Sequence, residues 1–119
     1  MADSTAEQKQ AKPTINMRLM LTGDLVTVRA LINHDMETGL RKDAKTGELI
    51  PAHFIQEVNC EHNGSPVMTA EWGTAISKNP YLSFKFKGGK VGDTVKISWT
   101  DNKAGSDSLE KAIEEKDVK

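Results

Sequence analysis

The sequence predicts an all-β protein with an immunoglobulin-like antiparallel β-sandwich. Three observations favour this fold. Apolar and polar residues alternate in several short segments, turn residues separate these segments at regular intervals, and no long segment has helical spacing. A chain of 119 residues has the length of one domain and can bury a single hydrophobic core. Its one cysteine excludes the paired cysteines of antibody domains, so the prediction concerns the architecture alone.

Alternation places the strands along the chain. Six segments have the period of two that is typical of strands with one buried face: 14–21, 26–32, 53–62, 67–71, 82–87 and 95–100. In the third of these, Phe54, Val58 and Cys60 share the face that we expect to be buried. Asn63–Gly64 predicts a type I′ hairpin turn, and residues 73–79 predict an irregular or one-turn helical connection.

The two ends of the chain lack the clear alternation of the strand segments. Residues 1–13 are polar and end in proline, so we predict a disordered N-terminal arm followed by a single domain over 14–119. After Asp101 two alternatives stay open. One is a helix that begins at the capping pair Asp107 and Glu110, and the other is a final edge strand over 109–118.

Composition excludes several functions. With 16 basic and 17 acidic residues and 5% aromatic residues, the chain lacks the charge and the stacking surfaces that nucleic-acid binding needs. No apolar run is long enough to cross a bilayer, and the first residues lack a signal-cleavage pattern. We therefore expect no nucleic-acid or membrane partner, and a chain that is not exported by its own signal.

The segment from His34 to Pro51 is the most distinctive part of the chain. It is too charged and too rich in turn residues to be a strand, and long ordered connections of this kind usually bind something. Within it, Asp43 to Gly47 predicts a tight reversal in which Gly47 has a positive φ. Met36 contacts a partner or fills the core, and Gly39 contacts a partner or only shapes a turn. The residues alone leave these alternatives open.

Cys60 permits three interpretations. As a free cysteine on an apolar strand face it is most simply a core residue. It could instead be a nucleophile with His62 two residues away. With His62 and Met68, and with His34 or His53 as a further ligand, it could belong to a small copper electron-transfer site, although the spacing fits such a site poorly.

Several short motifs resemble the SoxZ family, the subunits that pair with SoxY in the SoxYZ sulfur carrier. They run in the family's order from about residue 14 to about 105: HDMETGLRKDA at 34–44, IP at 50–51, CEHNG at 60–64, NPY at 79–81 and WTD at 99–101. The chain departs from the family at Ala52–His53, where an arginine is usual. It departs again at 102–105, where an acidic residue and glycine are usual.

The resemblance implies a non-catalytic subunit with no cofactor and no metal. SoxY carries the cysteine on which intermediates of thiosulfate oxidation are bound, and the subunit described by this sequence would stabilise SoxY and help to present it to other Sox proteins. Export to the periplasm would depend on the signal of SoxY. The residues that we predict to bind the partner are His34, Met36, Glu37, Thr38, Gly39, Arg41 and Asp43, with Asn79, Pro80 and Tyr81 beside them.

Overall fold

Seven strands and one short 3₁₀ helix make up the fold. The computed structural model describes residues 13–119, so the predicted arm lies outside the described residues except for Pro13. The elements are β1 (Ile15–Thr22), β2 (Leu25–Ile32), β3 (Ile55–His62), β4 (Ser65–Glu71), β5 (Tyr81–Lys87), β6 (Thr94–Asp101), β7 (Ser106–Ala112) and the 3₁₀ helix Glu115–Asp117. None of the helical structure in residues 13–119 is long and apolar enough to span a membrane.

The strands form two antiparallel sheets, as predicted for a sandwich. One sheet has the order β1-β2-β5 and the other has the order β4-β3-β6-β7. Alternate residues of β1, β2, β3 and β6 point between the sheets and are buried, whereas the alternate residues of β4 and β5 are only partly buried. The period of two therefore arises as expected, because the apolar face of one sheet packs against the apolar face of the other sheet.

The predicted turn chemistry is confirmed. Asn63 and Gly64 have φ angles of 51° and 86°, and positive φ at both positions is what a type I′ turn requires. Gly47 has a φ of 77°, as the reversal from Asp43 predicts.

One feature of β3 differs from the prediction. A bulge between Ile55 and Glu57 shifts the alternation, so Ile55 is fully buried and Phe54 is only partly buried. Val58 and Cys60 are in the core as predicted. A bulge adds one residue to one strand and exchanges the faces on either side, which a strict period of two does not foresee.

The C-terminal segment is a strand, so the helical alternative is wrong. β7 pairs with β6 through Ser106 to Ala112, earlier than the strand predicted over 109–118. Asp107 accepts hydrogen bonds from Thr14 and does not cap a helix. The chain then passes through the 3₁₀ helix, and Val118 forms a single parallel bridge with Leu21.

The connections divide the sandwich into two unlike ends. The loop end contains the long connections 33–54 and 72–80 together with the turn 102–105. The turn end contains the short connections 23–24 and 63–64 and the segment 88–93. Long loops on a rigid scaffold are where binding residues concentrate, so the loop end is the place to look for a site.

Candidate partner-binding site

The connection between β2 and β3 folds back on itself as an irregular hairpin, residues 37–53. At its base, Glu37 and His53 exchange backbone hydrogen bonds of 2.6 and 3.0 Å. Nearer the tip, the backbone N–H of Ile50 donates to the Arg41 carbonyl at 2.7 Å, and Lys42 forms a bridge with Leu49. The predicted interaction segment is therefore an ordered element with its own ladder.

Asp43 closes the tip of this hairpin. Its side-chain Oδ1 accepts hydrogen bonds from the backbone N–H of Lys45 at 2.7 Å and of Thr46 at 3.3 Å. Its carbonyl accepts from Gly47 at 2.8 Å. An aspartate that bonds to the backbone two residues ahead stabilises a turn, so Asp43 holds the shape of the tip.

Glu37 and Arg41 hold the base of the hairpin. The guanidinium of Arg41 donates from Nε to Glu37 Oε1 at 3.1 Å and from Nη2 to Oε2, which makes a bidentate ion pair. The hydrogen bond from Arg41 lowers the pKa of Glu37. Exposed pairs contribute little stability, but a bidentate pair restricts the orientation of both side chains.

Thr38 and Gly39 shape the segment that leads to the tip. Thr38 Oγ1 accepts a hydrogen bond from the backbone N–H of Leu40 at 3.0 Å. Gly39 has a φ of 89°, and a Cβ at this position would lie 3.2 Å from Cβ of Ala52. A side chain at residue 39 would thus be both strained and crowded, so shaping the backbone is a sufficient role for Gly39.

Two exposed leucines, absent from the predicted site, are the most apolar part of the hairpin surface. Leu40 is 81% exposed and Leu49 is 57% exposed. An exposed leucine is ordinary by itself, but two of them on one ordered hairpin suggest a contact surface. The available signal was the pair of apolar residues in an otherwise polar segment.

His34 and Met36 point inward. His34 is 7% exposed and Met36 is 5% exposed, and Met36 belongs to the hydrophobic core. The Met36 sulfur accepts a hydrogen bond from the backbone N–H of Ile55 at 3.4 Å. Of the two alternatives for Met36, the core role is the one that the structure supports. Both residues can influence a partner only through the shape of the hairpin base.

Asp101 lies at the centre of a buried hydrogen-bond network below the hairpin. Its Oδ2 accepts from Nε2 of His34 at 3.0 Å and from Nε2 of His53 at 2.8 Å. Its Oδ1 accepts from the backbone N–H groups of Lys103 at 2.9 Å and Gly105 at 2.7 Å. Burial by itself would raise the pKa of Asp101, but these four hydrogen bonds together lower it to about 2.

The same three side chains offer the ligand types of a metal site. The possible ligand atoms of His34, His53 and Asp101 lie within 4.8 Å of one another. However, Nδ1 of His34 accepts a hydrogen bond from the backbone N–H of Met36 at 3.0 Å. A neutral His34 therefore has its proton on Nε2 and donates it to Asp101.

A metal-binding histidine usually donates from the ring nitrogen that does not bind the metal. His34 does the opposite, because its second nitrogen is an acceptor. The arrangement fits a hydrogen-bond network that fixes the hairpin base better than it fits a metal centre. His53 belongs to the Ala52–His53 pair, where the SoxZ family usually has an arginine. Its side chain contributes to this network.

Asn79, Pro80 and Tyr81 lie beside the start of the hairpin connection, as predicted. The backbone N–H of Asn79 donates to the His34 carbonyl at 2.9 Å, and the Asn79 side chain accepts from the His34 N–H at 3.1 Å. The Pro80 carbonyl accepts from Ile32. Pro80 is buried, whereas Tyr81 is 61% exposed. Tyr81 is an exposed member of this segment and lies beside Leu31 on the smaller sheet, outside the hairpin.

The structure places Met68 opposite Cys60 in the β3–β4 register, but it does not bring two histidines to them as a copper site needs. Cys60 is fully buried, and burial raises the pKa of its thiol to about 12. His62 donates instead to Asp93 at 2.8 Å. His34 and His53 bond to Asp101, which pairs with Ile55 near the other end of β3, about 17 Å from Cys60 at the rise of a β-strand. A second histidine is thus missing from the surroundings of Cys60, and the core interpretation of Cys60 is supported.

Comparison with known families decides the identity. The model of the family described as "Sulphur oxidation protein SoxZ" matches residues 15–112, which is most of the chain. The chain belongs to the SoxZ family. This membership assigns it to the Sox sulfur-oxidation system and confirms the resemblance drawn from the hairpin motifs. No curated protein matches the chain significantly.

Several superoxide reductases are among the solved structures with a similar fold. A point variant of the neelaredoxin from Archaeoglobus fulgidus, in the reduced form, has a TM-score of 0.62 and 18% sequence identity over 94% of this chain and 96% of its own. The neelaredoxin from Ignicoccus hospitalis has a TM-score of 0.59 and 15% identity over 97% of this chain and 88% of its own. At this identity the likeness concerns the fold and carries no activity to this SoxZ-family chain.

Proposed function

We propose that this chain is the non-catalytic subunit of a SoxYZ heterodimer and that the hairpin at the loop end binds the partner. In this role it stabilises the SoxY-like subunit and helps to present cysteine-bound sulfur intermediates to the Sox enzymes during thiosulfate oxidation. Membership in the SoxZ family supports the sulfur-oxidation system. The heterodimer and its chemistry are inferences from that membership.

One observation carries the proposed binding role of the hairpin. Leu40 and Leu49 are exposed on a segment whose base is fixed by the Glu37–Arg41 ion pair and by the network around Asp101. Burying two leucines against a partner contributes roughly 1.5–3 kcal/mol for each. A segment that is already ordered also loses less conformational entropy on binding.

Cys60 supports the assignment of the carrier thiol to the partner. It is the single cysteine of the chain, and a thiol with a pKa of about 12 is protonated at neutral pH. A protonated, buried thiol neither attacks a sulfur substrate nor offers a site for a covalent sulfur adduct. The proposed division gives this chain the docking surface and gives its partner the chemistry.

The location follows from the same proposal. We place the heterodimer in the periplasm, exported with the signal of the SoxY-like partner. Transient contacts with other Sox proteins then occur on the assembled heterodimer.

Native mass spectrometry of the untagged protein from its own source tests the proposal. The expected result is a complex of this 13.1 kDa chain with one partner that carries sulfur adducts on a C-terminal cysteine. A chain that is isolated alone, or with a bound metal ion, would contradict the proposed function.

A further inference from the structure

The three strands of the smaller sheet contain no acidic residue. Their sequences, INMRLMLT, LVTVRALI and YLSFKFK, include four basic residues: Arg18, Arg29, Lys85 and Lys87. All four are exposed and alternate with residues that point into the sandwich. The outer surface of this sheet, which we call the basic face, therefore has an excess of positive charge. A hollow beside Arg18 and Arg29 is also lined by Lys111, Lys116 and Lys119 and by one acidic residue, Asp117.

The strand register puts two of these charges in direct opposition. Arg18 of β1 pairs with Arg29 of β2, and Arg29 pairs in turn with Ser83 of β5. Directly opposed side chains have Cβ atoms about 5 Å apart, and like charges at that separation are destabilising. A chain that retains such a pair on an exposed sheet has a position that an anionic group can stabilise.

Apolar side chains lie next to the arginine pair. Leu31 of β2 pairs with Tyr81 of β5, and their exposed fractions are 46% and 61%. A hollow of about 300 Å³ lies beside the Arg18–Arg29 and Leu31–Tyr81 pairs. It is lined by Asn16, Arg18, Arg29, Ala30, Leu31 and Tyr81. Arginine and tyrosine are the residue types that most often dominate binding energy at protein interfaces.

The opposite surface of the sandwich has the opposite charge. Outward positions of the larger sheet include Glu57, Glu61, Glu71 and Glu110, against the single basic residue Lys96. The chain is thus polarised although its net charge is only −1. A nucleic acid or an anionic membrane would meet four cations and two apolar side chains on one sheet of a small domain whose opposite sheet has an excess of acidic residues. A protein surface of limited area fits these features better.

We infer that the basic face docks an acidic surface of a Sox enzyme, with Arg18 and Arg29 supplying the charge and Tyr81 and Leu31 the apolar contact. The inference rests on the proposed function, because it takes the partner from among the enzymes that act on the carrier. Contacts rich in exposed charge associate quickly and are sensitive to salt. Such contacts suit a partner that visits the heterodimer and leaves it.

The test uses the assembled heterodimer and a charge reversal of one arginine. Arg18→Glu replaces the opposed arginines with an oppositely charged pair, so the melting temperature is expected to stay unchanged or to rise by about one to three degrees. The affinity for at least one purified Sox enzyme, measured by surface plasmon resonance at low salt, is expected to fall about tenfold or more. Arg18→Lys keeps the charge and is expected to bind nearly as wild type does.

Two comparisons complete the experiment. Lys90→Glu makes the same change of charge in the segment 88–93 at the turn end, where the Lys90 side chain is 80% exposed, and is expected to leave enzyme binding unaltered. Wild-type affinity is expected to decrease as salt increases, and the dependence is expected to be weaker for Arg18→Glu.

The outcomes separate this inference from the proposed function. If no heterodimer forms with wild-type chain, the proposed function has failed. If the heterodimer forms but Arg18→Glu binds every Sox enzyme as wild type does, the inference is wrong. Binding of duplex DNA, of phosphatidylglycerol vesicles or of a second copy of this chain at the basic face, in place of an enzyme, would also overturn it.

Discussion

Each end of the sandwich has a histidine–aspartate pair, but the two pairs have different surroundings. At the loop end, His34 and His53 both donate to Asp101, and His34 is further fixed by the backbone N–H of Met36. At the turn end, His62 donates to Asp93 at 2.8 Å and its ring packs against Phe86.

The difference lies in what each pair supports. Asp93 joins short connections, since it also accepts from the backbone N–H of Lys90 at 3.2 Å and lies near Lys90 Nζ at 3.6 Å. Asp101 holds together the two ends of the long connection between β2 and β3. It bonds to His34, which precedes the hairpin, and to His53, the last residue of the hairpin. The same chemistry closes a turn at one end and holds the base of the hairpin, the proposed partner-binding element, at the other.

The largest effect that distinguishes the ends is expected for Asp101→Asn. The amide keeps the shape of the carboxylate but removes its charge and half of its acceptor capacity, facing four donors. The free energy of unfolding is expected to fall by about 2–4 kcal/mol. Urea unfolding followed by tryptophan fluorescence measures the change. Asp93→Asn is the matched substitution at the turn end, and a loss as large as that of Asp101→Asn would remove the distinction.

The second-largest expected effect is a loss of folding stability at acid pH. The pKa values of Asp93 and Asp101 are about 2 in the folded chain, below the ordinary aspartate value of 3.8. A lowered pKa contributes stability above about pH 4, and this stability is lost as the pH falls from about 4 towards 2. The free energy of unfolding is therefore expected to decrease over this range. Asp101→Asn is expected to show a smaller decrease than wild type, and an equal decrease would show that Asp101 is not responsible.

Cys60 lies on β3 in the hydrophobic core, between the two ends of the sandwich. We expect this burial to protect its thiol from reagents in solution. A buried thiol with a pKa of about 12 reacts slowly with a thiol reagent in the native chain. Modification by 5,5′-dithiobis(2-nitrobenzoate) is expected only when denaturant unfolds the chain. Rapid modification at neutral pH without denaturant would instead support a reactive cysteine and weaken the core assignment.

The smallest effect on stability is expected for the ion pair at the hairpin base. Glu37→Ala combined with Arg41→Ala removes an exposed pair, so the melting temperature is expected to change by less than about two degrees. Partner affinity is expected to fall, because the hairpin base then has more freedom before binding. Isothermal titration with the SoxY-like subunit measures this loss. Unchanged affinity would show that the pair does not prepare the hairpin for binding.

Much of the fold follows from local patterns in the sequence. The alternation in β1, β2 and β6 and the Asn63–Gly64 turn each have one simple structural solution, and both appear. The bulge at Ile55 and the position of β7 depend on pairing with β6, which is distant in sequence from β3. Local periodicity contains no information about that register.

The presence of an ordered element between β2 and β3 was predictable, but most of its internal contacts were not. Charge and turn residues located the hairpin, and the proximity of Asn79 to His34 was expected. The joining of His34 and His53 by Asp101 was not foreseen, because 67 residues separate His34 from Asp101. Which side chains of the hairpin point outward also depends on tertiary packing, so Met36 was left open and Leu40 was missed.

In the proposed heterodimer the hairpin surface, and not the turn end, binds the SoxY-like partner. The most direct measurement compares heterodimer formation for Leu40→Asp combined with Leu49→Asp against Val91→Asp. Val91 is an apolar residue at the turn end with an exposed fraction of 38%. We expect the hairpin variant to weaken the heterodimer about 30-fold or more and Val91→Asp to leave it unchanged. Equal affinity of the hairpin variant and wild type, or a loss confined to Val91→Asp, would contradict the account.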